Sequence, residues 1–164
     1  MTEFKKTILI SIQEQVLWVR DRVSGETVLR YPVSTALKGP GQCVNSGCTP
    51  LGHHYVRAKI GAGLPRNAVL MGRRWTGEIY CPDLAAIFPN RDWILSRILW
   101  LCGCEPGKNR LGQVDSMRRF IYIHGTPDTE PMGIPLSHGC VRMRNRDVIA
   151  LFDSVPIYTP VCIE

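Results

Sequence analysis

Apolar residues recur at every second position in several short stretches of the chain, which is the period of a strand with one buried face. Ile8, Ile10 and Ile12 give the first such stretch. Residues 21–25 (DRVSG) follow the second stretch and predict a hairpin turn, and the proline- and glycine-rich residues 38–52 predict a loop. The strands predicted from these patterns are residues 8–12, 16–20, 27–33, 55–60, 68–71, 77–81, 119–123 and 159–163.

Two stretches have a helical period instead. Ile94, Ile98 and Leu101 predict a helix over residues 92–102, because residues three or four positions apart share one face of a helix. Residues 147–154 show the same spacing and predict a second helix.

Length and composition favour a single globular domain. The chain has 164 residues, of which 45% are hydrophobic and 21% charged, and neither a repeat nor a linker-like segment divides it. No apolar run approaches the 18 or so residues that span a membrane. Together with the predicted elements, this indicates a mainly β domain over residues 1–164. We expect it to be β-sandwich-like, with mixed sheets, a helical insertion and a second helix near the C-terminal end.

The N-terminal segment and the cysteines bear on the cellular compartment. The apolar residues 7–12 end at Gln13 without a small-residue cleavage site, so they are more typical of a strand than of a signal peptide. Seven cysteines cannot pair completely within one chain, and free thiols suit a reducing compartment. A cytoplasmic location is therefore expected, and a periplasmic one would follow if a leader had been removed.

The formal net charge of +6 raises the question of an anionic partner. Arg142, Arg144 and Arg146 form the densest basic set, and they favour an acidic small substrate. Charge alone is a weak indication of nucleic-acid binding, and no basic stripe interleaved with aromatic residues accompanies it. We therefore expect no nucleic-acid partner.

The candidate chemistry lies in two short segments with the sequences IHGTP and SHGCVRM. A cysteine attacks a carbonyl carbon as the thiolate, and an adjacent imidazole can take the thiol proton. His124 ends a predicted strand, which would present it as the base for Cys140. The carbonyl of Gly125 can orient the imidazole, and Gly139 allows backbone N–H groups to turn toward a developing oxyanion.

These segments closely resemble the catalytic domain of the L,D-transpeptidases, also called the YkuD-type domain. That family carries a His-Gly pair and, after a gap, Ser-His-Gly-Cys followed by an apolar residue and Arg or Asn. Residues 31–35 (YPVST), 49–52 (TPLG) and 145–148 (NRDV) extend the resemblance over most of the chain. Arg142 stands where many members have Asn, so no role of that asparagine is carried over.

The resemblance implies a β-sandwich-like fold with a helix after the cysteine, and a reaction on peptidoglycan. Cys140 would attack the carbonyl on the L-centre of a diaminopimelate-type residue, releasing a D-amino acid and leaving a thioester. An amine acceptor would then give a cross-link, and water would give hydrolysis. The resemblance and the charge pattern together assign catalytic roles to Cys140, His124, Gly125, His138 and Gly139, and substrate contacts to Ser137, Arg142 and Tyr122. Among these, His124 would be the base, Gly125 its orienter, the N–H groups of Gly139 and Cys140 the oxyanion donors, and Arg142 a partner for a substrate carboxylate.

The expected partners are peptidoglycan stem peptides or muropeptides, and neither a cofactor nor a metal is expected. In a reducing compartment, hydrolysis of recycled muropeptides (an L,D-carboxypeptidase activity) is narrowly favoured over cell-wall cross-linking. A non-catalytic peptidoglycan-binding module is a further alternative, and the presence of both His124 and Cys140 speaks against it.

A zinc site is the alternative from a different class. Four cysteines could supply thiolate ligands, although a pair separated by one residue is not a usual zinc-ligand spacing. These are Cys43, Cys48, Cys102 and Cys104.

Overall fold

The computed structural model describes residues 4–164, which form one ten-stranded mixed sheet with few helices. The strands are β1 (Lys6–Ser11), β2 (Val16–Asp21), β3 (Thr27–Pro32), β4 (Gly52–Ile60), β5 (Ala68–Met71), β6 (Arg74–Ile79), β7 (Ile94–Gly103), β8 (Tyr122–Thr126), β9 (Val141–Arg144) and β10 (Pro160–Ile163). The helices are α1 (Pro82–Ile87) and α2 (Asn145–Ser154), with a single 3₁₀ turn at Gly112–Val114.

The strands follow the order β3-β2-β1-β10-β4-β7-β5-β6, and β8 joins β7 to β9. The pairs β1–β10 and β8–β9 are parallel, whereas the other pairs are antiparallel. This architecture confirms the predicted mainly β fold with mixed strand directions.

One apolar core fixes the curl of the sheet, because strands that are distant in the order contribute to the same cluster. Ile8 and Ile10 are buried at alternate positions of β1, as the strand period predicts. Each fully buried aliphatic side chain contributes about 1.5–3 kcal/mol to folding. The cluster joins the inner faces of the strands to α2 through Leu17, Val19, Val56, Leu99, Leu101, Ile123, Val141, Met143, Val148, Leu151, Phe152, Val161 and Ile163.

The helix predicted over residues 92–102 is wrong, since this segment is β7 (Ile94–Gly103), the longest strand. It lies between β8 on one edge and β4 and β5, at its two ends, on the other edge, and both of its faces are largely buried. Such a strand has a nearly continuous apolar sequence. A register shift between Leu95 and Ile98 interrupts its alternation, and Ser96 there has a left-handed φ of 69°. The irregularity moves the apolar residues to a spacing that imitates a helix.

The predicted helical insertion is therefore not present at that position. The six-residue α1 precedes β7 instead, and Pro82 in its first turn suits a helix start. The strand predicted at residues 119–123 begins only at Tyr122, because the Asp115 carboxylate accepts the Arg118 N–H at 2.9 Å and holds a turn. The second helix was predicted correctly, but it starts two residues earlier, at Asn145. Within residues 4–164, no helix is long and apolar enough to cross a membrane.

A buried histidine in β4 makes the stability of this fold depend on pH. His54 is 1% exposed, and its ring nitrogens bond the Gly52 carbonyl at 3.0 Å and Ser116 Oγ at 2.8 Å. Burial lowers its pKa to about 4, because the charged ring is poorly solvated there. The unfolded chain binds this proton near pH 6.5 and the folded chain only near pH 4. The contribution of His54 to stability is therefore complete above pH 6.5 and is lost as the pH falls toward 4.

We expect His54→Gln to remove much of the acid sensitivity of the fold. Between pH 7 and pH 4.5 the wild-type protein should lose about 2–3 kcal/mol more unfolding free energy than the variant. Urea titrations at the two pH values measure both losses. Equal losses would mean that His54 titrates normally in the folded protein.

Candidate active site

The parallel pair β8–β9 brings the two predicted segments together. The register pairs Ile123 with Val141 and His124 with Arg142. Because successive side chains point to opposite faces of a strand, Ile123 and Val141 enter the core while His124 and Arg142 share the other face. Cys140 directly precedes β9, and its Sγ lies 3.3 Å from the backbone N of Tyr122 in β8.

A cavity of about 220 Å³ opens on that face of the pair. It is lined by six side chains that the sequence analysis predicted as site residues, namely those of Tyr122, His124, Ser137, His138, Cys140 and Arg142. Asp92, Ile94 and Phe120 complete the lining and were not predicted as site residues. The other two predicted residues, Gly125 and Gly139, act on the site through their backbones.

The His124 imidazole is held in its neutral form, in one tautomer. Its ring is 1% exposed, and Nδ1 lies 2.7 Å from the Gly125 carbonyl oxygen. A carbonyl can only accept, so Nδ1 carries the proton and Nε2 keeps its lone pair. Burial lowers the pKa of the imidazole, and the Gly125 hydrogen bond only partly opposes this effect. The contact predicted between His124 and the Gly125 carbonyl is therefore present.

The sulfur of Cys140 lies in a largely desolvated position. Burial raises the pKa of its thiol to about 11, and the Tyr122 N–H opposes the rise. Sγ also lies 3.3 Å from the carbonyl oxygen of Phe120, which can accept the thiol proton in a weak hydrogen bond. Burial therefore opposes thiolate formation in the free protein more strongly than the Tyr122 N–H favours it. Both the Cys140 thiol and the His124 imidazole, which line the same cavity, are therefore neutral at neutral pH.

The turn before Cys140 is held by the hydroxyl group of Ser137. Ser137 Oγ donates to the Cys140 carbonyl at 2.5 Å and accepts the Gly139 N–H at 3.2 Å. The N–H of Gly139, predicted as an oxyanion donor, is therefore occupied. The N–H of Cys140 makes no backbone hydrogen bond within residues 4–164 and is the better candidate. Gly139 has a φ of 133°, and a Cβ there would lie 3.2 Å from the Cys48 carbonyl, so the turn requires glycine.

Arg142 is already paired. Its Nη2 lies 3.3 Å from Oδ1 of Asp92, and the other carboxylate oxygen lies 3.9 Å from Nδ1 of His138. A substrate carboxylate at Arg142 would have to replace Asp92 as its partner. The other two arginines predicted with it do not converge on the cavity, and Arg146 pairs with Asp147 at 3.5 Å.

Tyr122 is fixed by a cation from the β5–β6 hairpin that sequence analysis missed. The Arg73 guanidinium donates to the Tyr122 hydroxyl at 3.1 Å and lies 4.8 Å and 5.0 Å from the ring centroids of Trp100 and Phe120. Both distances suit cation–π attraction. Asp92 was also missed, because the helix predicted over residues 92–102 placed it at a helix start. No local pattern in the sequence indicates either contact.

The rival zinc arrangement is not formed. Within residues 4–164, no three His, Cys, Asp or Glu side chains gather in a way that could hold a metal ion. Of the four cysteines considered, two lie in the loop before β4 and two at the end of β7, and all are free thiols.

Comparisons with known proteins agree with the geometry. Residues 5–163 match the family model described as the L,D-transpeptidase catalytic domain (YkuD). The probable L,D-transpeptidase YbiS of Escherichia coli is 49% identical over 43 residues, which are 26% of this chain and 14% of that protein. The putative L,D-transpeptidase YqjB of Bacillus subtilis is 44% identical over 45 residues, 27% of this chain and 26% of that protein.

Solved structures share the fold. The structure of Bdellovibrio bacteriovorus Bd1075 has a TM-score of 0.60 at 20% identity, over 98% of this chain and 48% of that one. L,D-transpeptidase 3 from Mycobacterium tuberculosis, in complex with a faropenem-derived adduct, has a TM-score of 0.59 at 16% identity, over 98% of this chain and 60% of that one. The chain thus spans about a quarter or less of these curated relatives and about half of these solved chains.

The charge state of Cys140 can be tested by alkylation. We expect its rate of reaction with iodoacetamide to keep rising from pH 7 to pH 10, because burial holds the pKa of the Cys140 thiol well above its ordinary value. Quenched reactions followed by peptide mass mapping give the rate at each pH. A rate that is already maximal below pH 7 would indicate a preformed thiolate–imidazolium pair instead.

Proposed function

The chain belongs to the L,D-transpeptidase catalytic-domain family, and on that premise we propose that it cleaves the L,D peptide bond of peptidoglycan tetrapeptide stems through a thioester on Cys140. The observation that carries the proposal is the arrangement of His124. Its Nδ1–H donates a hydrogen bond to the Gly125 carbonyl, and its ring lines the same cavity as the Cys140 thiol. A base with a fixed tautomer beside a nucleophile is the arrangement that acyl transfer needs.

In the acylation step, Cys140 Sγ attacks the carbonyl carbon of the L-centre while its proton passes to Nε2 of His124. The carbonyl electron pair moves onto the oxygen, where the Cys140 N–H can donate to it. The product of this attack is a tetrahedral intermediate. When it collapses, the bond to the D-residue breaks, and the amine of the D-residue takes the proton from His124. A free D-amino acid and a thioester remain.

Substrate binding explains why a desolvated thiol can still react. Removing the proton from Cys140 before the substrate arrives is costly, because both partners would become charged in a poorly solvated cavity. In the acylation step the negative charge moves from sulfur to the carbonyl oxygen, beside a backbone donor. Proton transfer is therefore favoured together with attack, and not before it.

We further propose that water is the main acceptor of the thioester. All seven cysteines are free, and Cys43, Cys81 and Cys104 are exposed, which suits a reducing compartment. Substrates there would be soluble muropeptides, without an acceptor strand held at high local concentration. Arg142 would hold a carboxylate of such a substrate by exchanging its contact with Asp92. Cross-linking by an amine is the competing outcome, and the similar proteins YbiS and YqjB are named as a probable and a putative L,D-transpeptidase.

His124→Ala should reduce the rate of D-amino acid release from a tetrapeptide by about 10²–10⁴-fold, because it removes the general base. His138→Ala should cost much less, since the His138 side chain is 78% exposed and its Nδ1 lies 3.9 Å from the Asp92 carboxylate, without a fixed tautomer of the kind that His124 has. Release is measured by mass spectrometry on variants with wild-type circular dichroism. His53→Ala, on the exposed surface of β4, is the matched control and should keep full activity.

Equal losses in the His124 and His138 variants would contradict these roles. Loss of activity in the His53 control would show that the assay reports folding rather than catalysis.

The acceptor is identified by product analysis. With a tetrapeptide donor and an excess of a D-amino acid, we expect free tripeptide to dominate over the exchanged tetrapeptide, because water competes for the thioester. Isotope-labelled D-amino acid separates the two products by mass. Cys140→Ser is the control for turnover through the thiol. Dominant exchange or dimer would identify a transpeptidase and leave the acyl-transfer step itself unaffected.

A further inference from the structure

The strand end that carries the catalytic base is tied to a buried asparagine outside the active-site cavity. Asn145 is the first residue of α2 and is 0% exposed. Asparagine near a helix start usually binds the helix's own backbone. Here α2 has no side-chain cap, and the Asn145 amide instead bonds groups from three other parts of the chain.

The bonds of Asn145 form a closed network. Its Oδ1 accepts from Ser96 Oγ at 2.6 Å, and its Nδ2 donates to Asn67 Oδ1 at 2.9 Å. The Asn67 N–H donates to Ser96 Oγ at 3.0 Å, which closes the ring. Nδ2 also donates to the Thr126 carbonyl at 2.9 Å, and because it has only two hydrogens, the longer contact to Asp128 Oδ1 at 3.2 Å shares one of them. Because the Thr126 carbonyl can only accept, the orientation of the amide group is determined.

The bond to Thr126 bears directly on the base. His124 donates from Nδ1 to the Gly125 carbonyl, and the next carbonyl along the chain, that of Thr126, is the one that Asn145 holds. The two peptide groups are consecutive, so fixing the second restricts rotation of the first. Packing adds to this restriction, since a Cβ on Gly125 would lie 2.6 Å from Asn145 Oδ1 and closer still to the Leu95 carbonyl.

The network also explains the irregularity in β7. Ser96 adopts a left-handed conformation, with a φ of 69°, that is unfavourable for a residue other than glycine. In that conformation its hydroxyl reaches both Asn67 and Asn145. The strain is therefore compensated by bonds that support the end of β8.

We propose that Asn145 is a positioning residue for the proposed acyl transfer, which holds the Gly125–Thr126 backbone so that the Gly125 carbonyl orients His124. It touches neither substrate nor nucleophile and acts through the backbone. The inference rests on the proposed function for its kinetic consequences, but the state of His124 can be measured without turnover.

Two variants separate positioning from simple support of the fold. Asn145→Asp keeps the size and the acceptor for Ser96 but loses the donor to Thr126. Ser96→Ala keeps the donor to Thr126 and loses the bonds of the Ser96 hydroxyl to Asn145 Oδ1 and to the Asn67 N–H. Positioning predicts that Asn145→Asp lowers kcat about 10- to 100-fold with little change in KM, since a misplaced catalytic group can cost about 10²-fold. Ser96→Ala should stay within a few-fold of wild type.

A new carboxylate beside Asp128 can also destabilise the fold. The Asn145→Asp change is therefore repeated in an Asp128→Asn background, which removes the repulsion of like charges, and is compared with Asp128→Asn alone. Thr159→Val is the control for losing a buried hydrogen bond elsewhere, because Thr159 is 0% exposed and bonds the Pro156 carbonyl at 2.7 Å. It should lower stability and leave kcat unchanged.

The decisive measurement is the NMR signal of the His124 Nδ1–H. We expect a slowly exchanging resonance in wild type, Ser96→Ala and Thr159→Val, and its loss in Asn145→Asp in either background. Retention of this resonance, or wild-type kcat, in folded Asn145→Asp would overturn the inference. If the wild-type protein cleaves no tetrapeptide, the proposed function fails, and the NMR comparison still decides whether Asn145 positions His124.

Discussion

The parallel pairing of β8 with β9 is the constraint on which the site depends. Because side chains alternate along a strand, the register that pairs His124 with Arg142 determines which groups enter the core and which line the cavity. A shift by one residue would turn His124 into the core and Ile123 toward the substrate. Parallel neighbours need a connection of a dozen or more residues, and residues 127–140 supply it as a loop that ends in the nucleophile turn.

Burial has opposite consequences for the two reacting side chains. It lowers the pKa of His124 and raises that of Cys140, so both are neutral before substrate binds. A buried ion pair would have to overcome the loss of hydration of both charges. In the proposed acyl transfer, the thiol would therefore react only when a substrate carbonyl accepts the charge as it forms. Such a reaction would select for a correctly placed substrate.

The parts of the structure that could be predicted from sequence are those defined by local chemistry. The period of β1 and the two glycines beside the proposed reacting groups have local physical reasons, whereas the strand predicted at residues 119–123 starts only at Tyr122 and contains His124. β7 could not be recognised, because burial on both faces and the irregularity at Ser96 removed the strand period. Asp92, Arg73 and Asn145 were missed because their contacts join distant segments. Asn145 was noted only as part of a resemblance, and only the fold gives it partners.

A segment without regular secondary structure can still be rigid enough to support the nucleophile. The loop before β4 is held by the Arg119 guanidinium, which donates to the carbonyls of Gly41, Gln42 and Cys48 at 2.7–3.2 Å. Thr49, at the end of this loop, donates from Oγ1 to the Gly139 carbonyl at 2.8 Å.

The nucleophile turn is thus fixed by the loop on one side and by Ser137 on the other. The sulfur of Cys140 is also contacted by the Phe120 carbonyl oxygen and the Tyr122 N–H, both at 3.3 Å, and the Tyr122 hydroxyl is held by Arg73 of the β5–β6 hairpin. The position of Cys140 therefore depends on contacts from several segments that are distant in the sequence.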